Sequence, residues 1–243
     1  MNGATAATAT MISGGETIVF NAPEEAKPKK QLVYPLKVLF EDEYLALVHK
    51  PAGILVSGNG FVTLAHALPQ NLQPSAEKDA TVPQPVHRLD YATTGILMVG
   101  KTSSSIRALN KMFEEKKLVK TYYAVAIGEM NSEGSILSEV DDKNARSDFS
   151  VIHSVSSPRF GQLNLVKLLP KTGRRHQLRV HLSSIGKPIL GDKDYGIEGL
   201  ILKGKGMYLH AYSLEFMHPF TGENMRLEDP LPKKFKKLFS KVM

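Results

Sequence analysis

The sequence predicts an α+β fold built on a mixed, largely antiparallel β-sheet with a few flanking helices. Strand-like runs recur from Val38 to Phe216, only about three segments carry helical periodicity, and Pro and Gly turns separate the runs. The 243 residues, 42% of them hydrophobic, are enough to bury a sizeable core.

Residues 1–31 are Ala/Thr/Gly-rich and then Pro/Lys-rich, with too little apolar pattern to pack alone. They are expected to form a mobile or loosely attached arm, leaving residues 32–243 as one domain. Val38 to His49 reads as a hairpin joined around Asp42, and Lys50-Pro51-Ala52-Gly53 turns the chain. A polar, Pro-containing loop is expected over 69–86. His87-Arg88-Leu89-Asp90 then precedes Gly95–Val99, a short apolar run that suits a buried strand and leaves Asp90 in a loop entering the core. Ser103–Lys117 spaces Ile106, Leu109 and Phe113 as one face of an amphipathic helix. Tyr122–Ile127, Phe149–Val155 and Gln162–Leu169 are expected strands. Arg174–Ile185 is expected to be helical, with Leu178, Leu182 and Ile185 facing inward, Gly186 past its end and Pro188 blocking continuation. Met207–Phe216 alternates as a strand, His218–Gly222 turns, and a last helix directs Phe235, Leu238, Phe239 and Val242 inward.

The absence of cysteine removes disulfides, thiolate nucleophiles and thiolate metal sites, and no run approaches the length of a membrane span. The start lacks the pattern of a secretory signal, so a cytoplasmic protein is expected. Neither Gly-x-Ser-x-Gly nor a P-loop is present. His176 and His181, five apart, would sit about 140° apart on a helix and would not chelate one ion, so no metal site is expected. Net charge is +7. Five lysines (233, 234, 236, 237, 241) crowd the last eleven residues and suit a solvated helix face. Phe149–Gly191 is acid-free yet carries Arg159, Lys167, Lys171, Arg174, Arg175, Arg179 and Lys187, which suits a phosphate-facing surface.

Asp90 is either a turn-capping aspartate or an ionised group at an active site, with the hydroxyls and amides of Thr93-Thr94-Gly95 as possible donors. Thr172 to His181 is dense in donors. On a helix Arg175 and Arg179 would share a face, either solvated or converging on an anion. Tyr122 packs in the core or points into a cleft; alternation does not choose.

Taken in order, Lys50-Pro51-Ala52-Gly53, His87-Arg88-Leu89-Asp90 with Thr94-Gly95 four residues on, Lys120-x-Tyr122-x-Ala124, Gly173-Arg174-x-His176-Gln177-Leu178-Arg179-Val180-His181, Gly186-x-Pro188-Ile189-Leu190-Gly191-Asp192 and Leu209-His210-Ala211 resemble the RluA-type pseudouridine synthases. The resemblance runs from about Val38 to Pro219. It implies the mixed antiparallel-sheet catalytic domain of that family and isomerisation of specific uridines in structured RNA, transfer or ribosomal, without cofactor or metal. It further implies that Asp90 is the catalytic aspartate, Tyr122 the aromatic residue against the target base, and Arg179 the salt-bridge partner of Asp90. Arg88 would displace the target nucleotide and Leu209 line the pocket, with Lys50, Arg174, Arg175, His176 and Gln177 in RNA or substrate binding. A monomer is expected.

The chain departs from the family pattern in two places. Thr94 replaces a Ser common in relatives, and Gly204-Lys205-Gly206-Met207 lacks an Arg found there, leaving any phosphate contact to Lys203 or Lys205. The arm is too short for an S4-type RNA-binding domain, so target choice is expected to rest on the catalytic domain. A non-catalytic RNA-binding or assembly protein of the same fold is the competing reading.

Overall fold

The computed structural model describes residues 3, 5–7, 9–19, 32–202 and 204–239. The chain divides into two units, Met1–Gln31 and Leu32–Met243. All helices and strands among the described residues lie in the second unit. Val242 and Lys241 of the expected C-terminal helix, and Lys203, lie outside the described residues.

The strands are β1 (Val38–Glu41), β2 (Leu45–Lys50), β3 (Ala80–Pro85), β4 (Thr94–Thr102), β5 (Val119–Ile127), β6 (Glu133–Val140), β7 (Lys143–Ser157), β8 (Gly161–Pro170), β9 (Leu209–Met217) and β10 (Asn224–Glu228). Helices α1 (Leu64–Ala67), α2 (Ser103–Glu114), α3 (Gln177–Ser184) and α4 (Lys233–Leu238) flank them. One sheet runs β1-β2-β4-β9-β5-β8-β7-β6, with β3 pairing β4 and β10 pairing β9. Every pairing is antiparallel except β4 with β9, which meet at Thr94↔His210 and Gly95↔Ala211. The expected α+β fold is therefore observed, with three strands more than the alternation reveals.

Each of those three escapes the pattern for a local reason. β3 contains Pro83 and Pro85, which cannot donate to a ladder, and it survives because it is an edge strand paired irregularly with β4. β6 and β10 are edge strands with mostly exposed side chains. The β1–β2 hairpin forms as expected, with the Asp42 carboxylate accepting the Tyr44 and Leu45 amides at 2.7 and 2.8 Å.

Alternation in β2 and β4 divides the core between two faces. Ala46, Val48, Leu97 and Val99 pack with Leu64 and Leu68 on the α1 side, whereas Leu45, Leu47, Ile96 and Met98 meet Leu109 and Met112 of α2. β5 and β8 repeat the division between α3 and α4. Tyr122 joins the α1-side and α3-side clusters, at the point where the sheet opens toward the Asp90 loop. Thr102 caps α2 by accepting the Ser105 amide at 3.0 Å, and the helix stops at Glu114 because Lys116 turns left-handed at φ 56. Lys234 of the basic C-terminal helix is not simply solvated. Its ammonium donates to Met207 O at 2.7 Å and lies 4.5 Å from the centre of the Tyr208 ring.

α3 begins at Gln177, three residues later than expected. His176 sits at φ 54, a left-handed conformation that ends helical propagation toward the N-terminus. The preceding loop instead folds onto Gln177, whose Oε1 accepts the Thr172 hydroxyl at 2.7 Å and the Arg174 amide at 3.0 Å. Arg174 and Arg175 consequently stand on a loop, and Arg175 does not share a helical face with Arg179. Ile185, expected inward, caps the helix and is 39% exposed.

Candidate active site

Asp90 lies on the loop between β3 and β4, and the chemistry of neighbouring side chains explains how the loop is held. Lys50, at the end of β2, is fully buried and donates to Pro51 O at 2.9 Å, Tyr91 O at 3.3 Å and Thr93 O at 2.9 Å. Burial lowers its pKa to about 8, against the opposing pull of the Asp90 charge. The family resemblance implies RNA contact for Lys50. Its ammonium is instead engaged by carbonyls below the surface, and it braces the loop. Across the loop, His87 accepts the Met98 amide on Nε2 at 2.9 Å and stacks on Phe113 at 4.7 Å. Burial, with nearby Lys120, drops the His87 pKa to about 3, so the ring is a neutral acceptor.

A cleft of about 500 Å³ opens above this loop. Arg88, Asp90, Tyr122, Arg174, Arg175, His176, Gln177, Arg179 and Leu209 all border it. Nine of the ten expected site residues thus converge on one cavity, and Lys50 lies beneath it. Gln177 borders the cleft but is 4% exposed, and its amide also donates to Arg146 O at 3.0 Å and Ser147 Oγ at 2.9 Å. Its side chain thus ties the Thr172–Arg174 loop to β7. Neither threonine hydroxyl serves Asp90: Thr94 Oγ1 pairs with His210 Nδ1 at 2.8 Å, and Thr93 Oγ1 is buried without a partner among the described residues.

Arg179 Nη1 stands 3.8 Å from Asp90 Oδ2. The guanidinium is gripped more closely elsewhere, with Nε and Nη2 each donating to Asp192 at 2.7 Å and Nη2 also to Asp194 at 2.6 Å. Despite desolvation, these carboxylates raise the Arg179 pKa and keep the cation charged. The Asp192 carboxyl is 0% exposed; burial alone would raise its pKa, but the Arg179 guanidinium outweighs it and holds the group below the ordinary carboxylate range. Bidentate pairing fixes the plane of the guanidinium and leaves Nη1 free to face Asp90. Asp192 stands in the Gly186–Asp192 motif, yet nothing in its spacing from Arg179 signals this role, because the chain between them leaves α3 and turns at Gly186 and Gly191. On the other flank, His176 Nε2 stands 3.7 Å from Asp90 Oδ1.

Tyr122, half-buried, is on the cleft side. Burial pushes its phenol pKa up, aided by the Asp90 charge, so it remains protonated. Lys116, Lys120 and Lys171 also border the cleft, bringing its lysines and arginines to seven against two carboxylates, Asp90 and Glu114. Lys120 is half-buried, its ammonium has no hydrogen bond or ion pair among the described residues, and burial lowers its pKa. An ammonium so placed suits an incoming phosphate. Such a cavity can receive a flipped nucleotide, neutralise its phosphates and put one carboxylate against its sugar.

Known proteins agree in sequence and in shape. Residues 44–184 match the family described as RNA pseudouridylate synthase. The ribosomal large subunit pseudouridine synthase C of Pasteurella multocida is 35% identical over 237 residues, which take in 90% of this chain and 71% of the relative. The ribosomal large subunit pseudouridine synthase D of Xanthomonas campestris pv. campestris is 32% identical over 273 residues, 99% of this chain and 80% of the relative. The structure of human RNA pseudouridylate synthase domain containing 4 superposes with a TM-score of 0.68 at 25% identity, covering 85% of this chain and 92% of that one. With sequence matched over most of its length and the same sheet beneath it, the chain belongs to the RNA pseudouridylate synthase family, in its RluA-type branch, and is an isomerase acting on uridine in RNA.

Proposed function

We propose that this enzyme modifies uridines of large-subunit ribosomal RNA, with Asp90 acting at the ribose of an extruded nucleotide. The names of the two relatives support the choice of ribosomal over transfer RNA. The observation that carries the chemistry is the Asp90 carboxylate at the foot of a basic cleft, faced at 3.8 Å by a guanidinium that two other carboxylates hold in place.

Isomerisation breaks N1–C1′, turns the uracil and joins C5 to C1′; the C5 proton leaves and N1 gains one, so no oxidant or reductant enters. As the base departs, C1′ becomes electron-poor, and an ionised Asp90 stabilises the sugar by attack at C1′ or takes the 2′ proton. Arg179 keeps that carboxylate oriented. Tyr122 stacks on the detached uracil and holds it while it turns. Extrusion of the nucleotide costs a few kcal/mol and is least costly in loops. Arg88, exposed at the cleft border and free of ion pairs among the described residues, occupies the vacated stack. Leu209 packs against the base, and Arg174, Arg175, Lys120 and Lys171 meet phosphates. On this reading residues 32–243 are the catalytic domain and act as a monomer in the cytoplasm.

The test is to incubate the purified protein with an in vitro transcript of bacterial large-subunit ribosomal RNA and map pseudouridine at single-nucleotide resolution. Conversion at one or a few loop uridines is expected. Binding of the transcript with no conversion anywhere would leave the ribosomal assignment without support.

A further inference from the structure

Behind the cleft wall, Tyr195 touches both groups that flank Asp90. Its hydroxyl lies 3.0 Å from His176 Nδ1, and the Arg179 guanidinium carbon lies 4.9 Å from its ring centre. His176 and Arg179 in turn face opposite oxygens of Asp90, at 3.7 Å from Oδ1 and 3.8 Å from Oδ2. Tyr195 itself does not border the cleft, so it acts through these two residues.

We infer that Tyr195 is a positioning residue that sets the His176 tautomer and supports the Arg179 plane, so that both Asp90 oxygens face an N–H. The inference rests on Asp90 being the catalytic group. With the Tyr195 hydroxyl donating to Nδ1, the neutral imidazole carries its proton on Nε2, the atom turned toward Asp90. The reverse tautomer would put a lone pair against a carboxylate. The ring of Tyr195 meanwhile lies under the guanidinium, a cation–π contact that opposes tilting away from Asp90.

Three further features show that this arrangement is built. His176 adopts φ 54, a conformation costly for a residue with a Cβ, and that conformation inserts its ring between Asp90 and Tyr195. Tyr195 is fixed by its own backbone, its amide donating to Asp192 Oδ1 at 3.2 Å and its carbonyl accepting from Ser183 Oγ at 2.9 Å. The next residue, Gly196, admits no side chain, since a Cβ there would fall 2.3 Å from Asp192 O. Asp192 thus orders both the guanidinium and the tyrosine beneath it. The charged or titratable groups acting on His176 are Asp90 from the β3–β4 loop, Arg179 from α3, Arg175 from its own loop, and Asp194 with Tyr195 from the segment after Leu190.

The test compares the full chain with Tyr195→Phe, which keeps the ring and loses the hydroxyl, and Tyr195→Leu, which loses both. Imidazole ¹⁵N spectra, with His176→Gln to assign the signal, are expected to show the Nε2–H form of His176 in the parent and a mixture in Tyr195→Phe. Single-turnover rates on the ribosomal transcript are expected to fall about tenfold in Tyr195→Phe, the worth of one hydrogen bond, and further in Tyr195→Leu, with RNA Kd unchanged. An Nδ1–H tautomer in the parent, or a Tyr195→Phe enzyme with the parental rate, overturns the inference. Losses of rate, RNA affinity and Tm in parallel overturn it too, in favour of a purely structural tyrosine. If the parent chain does not convert the transcript, the ribosomal assignment fails, and the tautomer spectra still decide the role of Tyr195.

Discussion

At the scale of single residues, the site separates groups that meet a substrate from groups that hold them. Lys50 and Gln177 have the polar ends expected of RNA ligands, yet each is buried with its donors committed inside the domain. Asp192 is the converse, an aspartate with no obvious chemistry that fixes the most important cation in the cleft. Replacing Asp192 with Asn removes one charge while leaving a similar shape. Turnover is expected to fall by at least about tenfold with RNA affinity little changed, because a bidentate charge-assisted pair is replaced by neutral contacts. Rapid-quench rates beside filter-binding Kd values check this, and equal losses in both would recast Arg179 as a phosphate contact.

His87 yields a prediction about pH. Its folded pKa of about 3 lies below the ordinary value of 6.5, so between these limits the unfolded chain takes up a proton that the folded chain refuses. The stabilisation is complete above pH 6.5 and is lost progressively as pH falls toward 3. His87→Gln, whose amide oxygen can still accept the Met98 amide, is expected to remove that share of acid sensitivity. Urea titrations from about pH 7 to about pH 4, inside that window, measure it. Parallel stability–pH curves for the two proteins would contradict the assignment.

At the scale of elements, the long and strongly patterned pieces are legible in the sequence. The β1–β2 hairpin, α2, β5 and β8 follow directly from alternation or helical spacing. The start of α3 does not, because the Arg174–Gln177 segment has ordinary helical composition and the left-handed turn at His176 comes from tertiary contacts with Asp90 and Tyr195. β3 is hidden by its prolines. Convergence is legible only through the family resemblance: spacing alone leaves Asp90 and Tyr122 undecided, since it does not record that β4 runs parallel to β9 for two residues and so opens the sheet beside the Asp90 loop. That junction depends on Gly95, at φ 117, where a Cβ would come within 2.2 Å of Ala211 O. Gly95→Ala is expected to cost about 3 kcal/mol or more, through backbone strain and displacement of β9. Chemical denaturation tests this, and a loss under about 1 kcal/mol would mean the two strands part without consequence.

At the scale of the whole molecule, the charge pattern matters more than its total. The acid-free stretch through β8 and α3 places Lys171, Arg174 and Arg175 at the cleft, where Lys120 of β5 and Lys116 of the turn after α2 join them. RNA binding is therefore expected to weaken steeply with salt. Replacing Lys120 and Arg175 together with Met should reduce the slope of log K against log salt by roughly 1.5, at about 0.7 to 0.9 for each phosphate no longer neutralised. An unchanged slope would place both side chains outside the RNA path. No helix among the described residues is long and apolar enough to cross a membrane.

The chemistry as a whole depends on the Asp90 carboxylate, and its most direct test is Asp90→Asn assayed for pseudouridine in the ribosomal transcript beside the parent enzyme. The expected result is no pseudouridine from the variant at any concentration or time, with RNA Kd within a few fold of the parent. Pseudouridine formed by Asp90→Asn at the same uridines would show that the chemistry resides in another group.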